Sequence, residues 1–211
     1  WWLNNPDNYR EHIRRAIEIA AEEGIYVILV PWRLSSADFN RGLMPFYPYD
    51  THMIGGKYFT EADFINFWVD VATYLSDLLN WIIDPYNEPK GSVSDRNLWF
   101  NTVKNLILGV RPFTDNIVLA QWREGEWWVG TYDRISTWVD LFISALQAGG
   151  VDGNVVVSTH IYKDNWASDY ETLKANFTTW GILHASTEVN HPLIFGEIGC
   201  AGSGELEFFQ N

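Results

Sequence analysis

Cysteine is almost missing from these 211 residues, and the single Cys200 excludes an intrachain disulfide and any thiolate metal cluster. Positive charge is scarce as well. Lys and Arg number 14 against 27 Asp and Glu, giving a net charge of −13. A field of that sign repels phosphate backbones, so nucleic acid is not an expected partner. No apolar run approaches the ~20 residues of a membrane helix, so no membrane partner is expected either. Low-complexity segments, linkers and charge blocks are absent. No signal-peptide pattern opens the chain, and its first residue is Trp and not Met; this reads as a processed product, an engineered piece or a partial sequence. His12, His52, His184 and His191 lack metal-ligand spacing. The one Gly cluster near a strand end (Gly196, Gly199, Gly202, Gly204) lacks both G-x-G-x-x-G and a following Lys-Ser/Thr. No metal and no cofactor are therefore expected.

What is present is apolar and aromatic. Hydrophobic residues make up 47% and charged residues 19%, a globular balance, and the length suits a single domain over residues 1–211. Aromatic residues reach 16%, with 12 Trp, an excess that suggests stacking surfaces as well as core.

Short apolar runs alternate with longer amphipathic stretches. Residues 10–23 place Ile13, Ala16, Ile17, Ala20 and Ala21 on one helical stripe, with Gly24 as a stop. The run 25–30, closed by Pro31, reads as a strand buried on both faces. Phe64, Phe67, Trp68, Val71, Leu75 and Leu78 predict a second helix, followed by a strand over 81–86. Helices over 95–109, 133–148 and 169–184 are each followed by a strand, over 116–120, 154–159 and 192–196. The run 205–209 reads as the start of one more helix. Regular alternation of this kind implies a parallel α/β sheet, either doubly wound or closed as a (β/α)8 barrel.

In such proteins functional groups gather just beyond the carboxyl ends of the strands. Those positions hold Trp32 and Arg33, then Asn87, Glu88 and Pro89, then Gln121 and Trp122, then His160 and Tyr162, then Glu197. Two carboxylates, an amide, an imidazole, a phenol and several indoles at one mouth suit the cleavage of sugars. One carboxylic acid protonates the glycosidic oxygen, the second attacks or stabilises the anomeric carbon, and indoles stack on sugar faces. Trp68, Trp81, Trp99, Trp138 and Trp180 read as core. Trp32, Trp122, Trp127, Trp128 and Trp166 fall in segments that should line the mouth, and Trp1 and Trp2 fall in a loop beside it. Arg33 reads as a surface charge and Cys200 as a small buried residue.

Three motifs in this order make the reading specific. Asp84-Pro85-Tyr86-Asn87-Glu88-Pro89 resembles the fourth-strand Asn-Glu-Pro signature of glycoside hydrolase family 5, the cellulase and mannanase group. His160-Ile161-Tyr162 resembles its sixth-strand His-x-Tyr, and Phe195-Gly196-Glu197-Ile198-Gly199 its seventh-strand Gly-Glu-Phe-Gly. The resemblance runs from the second barrel helix to the seventh strand. It implies a partial TIM-type barrel of about five parallel strands, barrel strands three to seven, with strands one, two and eight absent from the sequence. It implies Glu88 as general acid/base and Glu197 as nucleophile of a retaining enzyme on β-1,4-linked glucan or mannan. Asn87 would meet the sugar 2-hydroxyl, Tyr162 would orient Glu197, and His160 would contact the same sugar. Trp32, Trp122, Trp128 and Trp166 are candidate sugar platforms. The family's strand-two Arg and strand-eight Trp have no counterpart here, and Pro31 and Trp32 stand where the strand-three His is usual. A carbohydrate-binding or weakly active barrel is therefore the alternative, with a structural piece of a longer enzyme third. Two open sheet edges predict a symmetric homodimer. Degradation of polysaccharide predicts secretion.

Overall fold

The computed structural model describes residues 6–31, 53–54, 57–58, 60–87, 89, 93–121, 135–151, 153–162, 171, 175 and 191–199. Helix α1 (Pro6–Glu22) leads into strand β1 (Val27–Leu29), and a small antiparallel pair comes next, β2 (Met53–Ile54) with β3 (Lys57–Tyr58). Then come α2 (Glu61–Tyr74), β4 (Trp81–Ile83), α3 (Val93–Val110), β5 (Val118–Ala120), α4 (Ile135–Gly149), β6 (Val155–Tyr162) and β7 (Leu193–Gly199). Five strands form one sheet in the order β1-β4-β5-β6-β7, and every neighbouring pair is parallel. Chain order and spatial order coincide, as in a barrel built unit by unit, and the five strands with their helices make a half-barrel. The helix expected over 169–184 and the one expected from 205 lie outside the described residues, apart from helical positions at Glu171 and Ala175.

Local chemistry sets the element ends. Gly24 takes φ +70, and its N–H and that of Ile25 return to the carbonyls of Ala21 and Ala20 at 3.0 and 2.8 Å, closing α1 in a Schellman motif. Thr60 caps α2: its hydroxyl oxygen accepts from the Asp63 N–H at 3.2 Å, and the Asp63 carboxylate accepts from the Thr60 N–H at 2.9 Å. Strand β4 stops at Ile83, short of the expected residue 86, because Pro85 has no N–H to give the ladder. Strands β6 and β7 run on past the expected ends to Tyr162 and Gly199. The β2–β3 pair is not among the expected elements, although Gly55-Gly56 between them is a two-residue hairpin signal.

Two expectations at the N-terminal side need correction. The run 25–30 is not buried on both faces: among the described residues β1 pairs with β4 alone and stands at the edge of the sheet, and Tyr26 is 64% exposed. The apolar stripe of α1 is also narrower. Ile17 is buried and Ile13 packs on the core, while Ala16 and Ala21 are exposed. Long polar side chains make the contact with α2 instead. The Arg10 and Arg14 guanidinium groups lie over the Tyr74 ring at 5.8 and 6.0 Å, and Arg14 donates twice to Asp77, at 2.9 and 2.5 Å. That paired guanidinium holds the Asp77 carboxyl below its ordinary pKa.

Between the sheet and its helices lies one core. Phe64, Trp68 and Val71 of α2, Trp99 and Leu106 of α3, and Phe142 and Leu146 of α4 close over Ile83, Val118, Val155 and Val157. Trp68, Trp81 and Trp99 are thus core residues, as their helical and strand-start positions predict. Of Trp138 only the helical backbone is described, and Trp180 lies outside the described residues.

At the amino ends of the strands the same device recurs. Asn80, ahead of β4, donates its amide to the carbonyls of Ile17 and Ile25 at 2.9 and 3.1 Å. Asn116, ahead of β5, donates to Leu78 O at 3.2 Å, and Asn154, ahead of β6, to Asp115 O at 2.8 Å. Asn154 takes φ 56, a left-handed conformation that Asn tolerates better than most residues. Arg111, past the end of α3, spans the entries of β5 and β6, donating to the carbonyls of Thr114, Asn116, Gly153 and Asn154 at 3.3, 2.9, 2.9 and 3.3 Å. Its burial lowers its pKa from the ordinary guanidinium value. Arg111→Met keeps the aliphatic stem and removes all four bonds. Urea unfolding should show a loss of about 1.5–3 kcal/mol, the scale of hydrogen bonds made by a charged group. An unchanged midpoint would mean that the clamp adds nothing.

Candidate active site

Parallel pairing puts the carboxyl ends of all five strands on one rim, and buried polar side chains stand on or just past three of those strands. Past β4 the chain runs Asp84-Pro85-Tyr86-Asn87, and all four residues are buried. Past β5 comes Gln121, also buried. His160, on β6, is 1% exposed. Glu197 is a backbone position on β7, in register directly beside His160, with Gly199 beside Tyr162. Glu88 lies outside the described residues, between Asn87 and Pro89, which are both buried. Also outside them are Trp32, Arg33, Trp122, Trp127, Trp128, Trp166 and Cys200, so the expected aromatic platform has no described geometry.

Within the described rim a short polar contact joins two strand exits. Gln121 Nε2 donates to Asp84 Oδ2 at 2.6 Å, with both residues buried. A buried carboxyl group without partners would cost several kcal/mol, so this amide fixes the exit of β4 to that of β5. Two core indoles hold the same loops from beneath. Trp68 Nε1 donates to Pro85 O at 3.2 Å, and Trp99 Nε1 donates to Gln121 O at 2.9 Å. Trp99 also meets Tyr86 edge-on at 6.3 Å between centroids. The segment leading to Asn87 is therefore fixed at Asp84, Pro85 and Tyr86 in succession.

Sequence reasoning places Trp68 and Trp99 in the core and marks Gln121 only as a rim residue. It does not reach the Asp84–Gln121 bond or the two indole bonds. The available signal is a polar residue closing each apolar strand run, Asp84 after Trp81-Ile82-Ile83 and Gln121 after Val118-Leu119-Ala120. Among the described residues no group of His, Cys, Asp and Glu is arranged to hold a metal ion.

A half-barrel of parallel strands in consecutive order, with its buried amide and imidazole toward the carboxyl rim, is the architecture of part of a (β/α)8 barrel. Residues 3–207 match the family model for cellulase, glycosyl hydrolase family 5, and the chain belongs to that family. No curated relative matches the sequence. Among solved structures, the catalytic domain of the Thermobifida fusca endoglucanase Cel5A superposes with a TM-score of 0.54 at 16% identity, covering 99% of this chain and 59% of its own. XacCel5A, solved with cellopentaose, gives 0.57 at 20% identity, with 90% and 58% covered. A trimodular family 5 endoglucanase gives 0.64 at 13% identity, with 98% and 41% covered. The chain thus spans between two fifths and three fifths of the length of these neighbours.

The rim geometry carries its own test. Gln121→Ala removes the amide from the buried Asp84 carboxyl and should lower stability by about 1–3 kcal/mol. Denaturant unfolding measures it. A loss no greater than that of an exposed Gln→Ala change would show that Asp84 does not depend on Gln121.

Proposed function

We propose that this chain is a retaining glycoside hydrolase acting on β-1,4-linked glucan, or on mannan, with Glu88 as general acid/base and Glu197 as nucleophile. The observation that carries the reading is the register of Glu197 beside the buried His160, which lies two strands from the β4 exit that leads to Asn87 and Glu88, in a chain of the cellulase family. In the first step a Glu197 carboxylate oxygen bonds to the anomeric carbon as the glycosidic C–O bond breaks, and Glu88 gives its proton to the departing oxygen. In the second, water attacks that carbon, Glu88 takes the proton of the water, and Glu197 leaves as carboxylate. This double displacement needs the two carboxyl groups about 5–5.5 Å apart. Asn87 is the partner for the sugar 2-hydroxyl, His160 touches the same sugar, and Tyr162 orients Glu197. Trp32, Trp122, Trp128 and Trp166 supply stacking faces. Cello-oligosaccharides bound to solved neighbours support a glucan, and work on polymeric substrate supports secretion.

Release of a chromophore from an aryl β-cellobioside tests this directly. Glu197→Gln should abolish turnover while cello-oligosaccharide binding persists. Glu88→Ala should slow substrates with poor leaving groups most, because only they need the proton. Equal loss on every substrate would remove Glu88 from the acid role. A second reading is a chain that binds sugar but cleaves it poorly. Binding of cellopentaose without any release by the parent would favour it.

The edge position of β1, with Tyr26 and Ile25 exposed beside it, supports self-association of this chain as a symmetric dimer. Sedimentation over a concentration series should show a monomer–dimer equilibrium, and Ile28→Lys on β1 should shift it to monomer. A monomer at every concentration would refute it.

A further inference from the structure

We propose that Gly196 is a positioning residue: it is the inserted residue of a bulge in β7, and its missing side chain is the seat that holds the His160 imidazole beside Glu197. The proposal rests on the reading of Glu197 and His160 as site residues.

The ladder between β6 and β7 is regular up to one point. Val157, Ser158 and Thr159 pair with Leu193, Ile194 and Phe195. The next pair is His160 with Glu197, and after it come Ile161 with Ile198 and Tyr162 with Gly199. Gly196 has no counterpart on β6. Bulges are uncommon in parallel ladders and occur beside active sites, where one extra residue re-aims the side chains beyond it. Had the pairing continued without it, His160 would stand beside Gly196 and Glu197 beside Ile161. Because strand side chains alternate with a period of two, a slip of one residue exchanges the faces. The insertion is what puts the histidine and the glutamate at one register position.

The bulge also requires a glycine. A Cβ on Gly196 would fall 2.5 Å from Ser158 Oγ, 3.0 Å from His160 Nε2 and 3.2 Å from His160 Cδ2. Its φ is not left-handed, so the demand is for space and not for backbone freedom. Ser158 is 0% exposed and His160 1%, so neither side chain has open solvent to move into. Ser158 Oγ makes no hydrogen bond among the described residues. Ser158 is therefore selected by its small size, as the near wall of the same seat, with the imidazole edge as the far wall.

The test begins from Ser158→Ala, which removes the nearer obstacle, and adds Gly196→Ala, so that the new methyl group meets the imidazole. Three readouts are taken: the melting temperature, the His160 ring resonances by 1H–13C NMR, and kcat and KM on an aryl β-cellobioside. The double variant should displace the His160 resonances and should lower kcat at least tenfold with KM little changed. Unmoved His160 resonances would overturn the proposal, as would displaced resonances with kcat intact. A melting-temperature cycle covers the case in which the double variant folds poorly. In a His160→Ala background Gly196→Ala should cost much less than in the parent, and an equal cost in both would overturn the seat. If the parent chain itself releases no chromophore, the glycosidase reading has failed, while the NMR readout and the melting cycle still decide the role of Gly196.

Discussion

Trp99 ties the core to the polar rim at two points, Gln121 and Tyr86. Its N–H is the donor that fixes the carbonyl of Gln121, its ring packs on Phe64 and Tyr86, and Gln121 in turn holds Asp84. An indole can do this because it is large enough to reach from a helix through the core and polar at one end only. Trp68 repeats the arrangement one unit earlier, at Pro85. The loops that carry candidate chemistry are thus tied to helices α2 and α3 through the interior, and not through contacts at the surface. Loss of either indole would open a cavity and also free a strand exit.

The two ends of the sheet solve different problems. At the amino ends Asn80, Asn116 and Asn154 donate to backbone carbonyls of neighbouring segments, and Arg111 donates to four more. These bonds lie strung along the base, one strand entry after another. At the carboxyl ends the buried polar residues Asp84, Asn87, Gln121 and His160 stand on three neighbouring units of one rim. A stable base and a polar rim at opposite ends of one sheet are what a barrel needs in order to change its chemistry without changing its fold.

Much of the architecture is legible in the sequence because its signals are periodic and local. Five apolar runs separated by amphipathic stretches imply the parallel sheet, and Gly24 marks the end of α1 in the way its left-handed φ requires. Strand order agrees with βα alternation alone. The misreadings lie where neighbours decide. The sequence of β1 looks like that of any interior strand, and only the pairing puts Ile25 and Tyr26 at an exposed edge. The expected stripe of α1 counts alanines, whereas arginines stacked on Tyr74 make the contact. For the candidate site, Asn87, Glu88, His160 and Glu197 can be named from motifs at strand ends. The supporting bonds cannot, since Gln121 and Asp84 are 37 residues apart and a bulge leaves no mark on a string of letters beyond a glycine.

The asparagines at the base bear on the order in which such a chain assembles. Each donates its amide backwards, to a carbonyl already earlier in the chain: Asn80 to residues 63 and 55 positions before it, Asn116 to one 38 before and Asn154 to one 39 before. Every link can therefore close as soon as its own strand entry has emerged from the ribosome, with no need for anything still to be made. A half-barrel stapled in this direction can grow like a wall laid course upon course, each new strand meeting a template whose lower edge is already fastened.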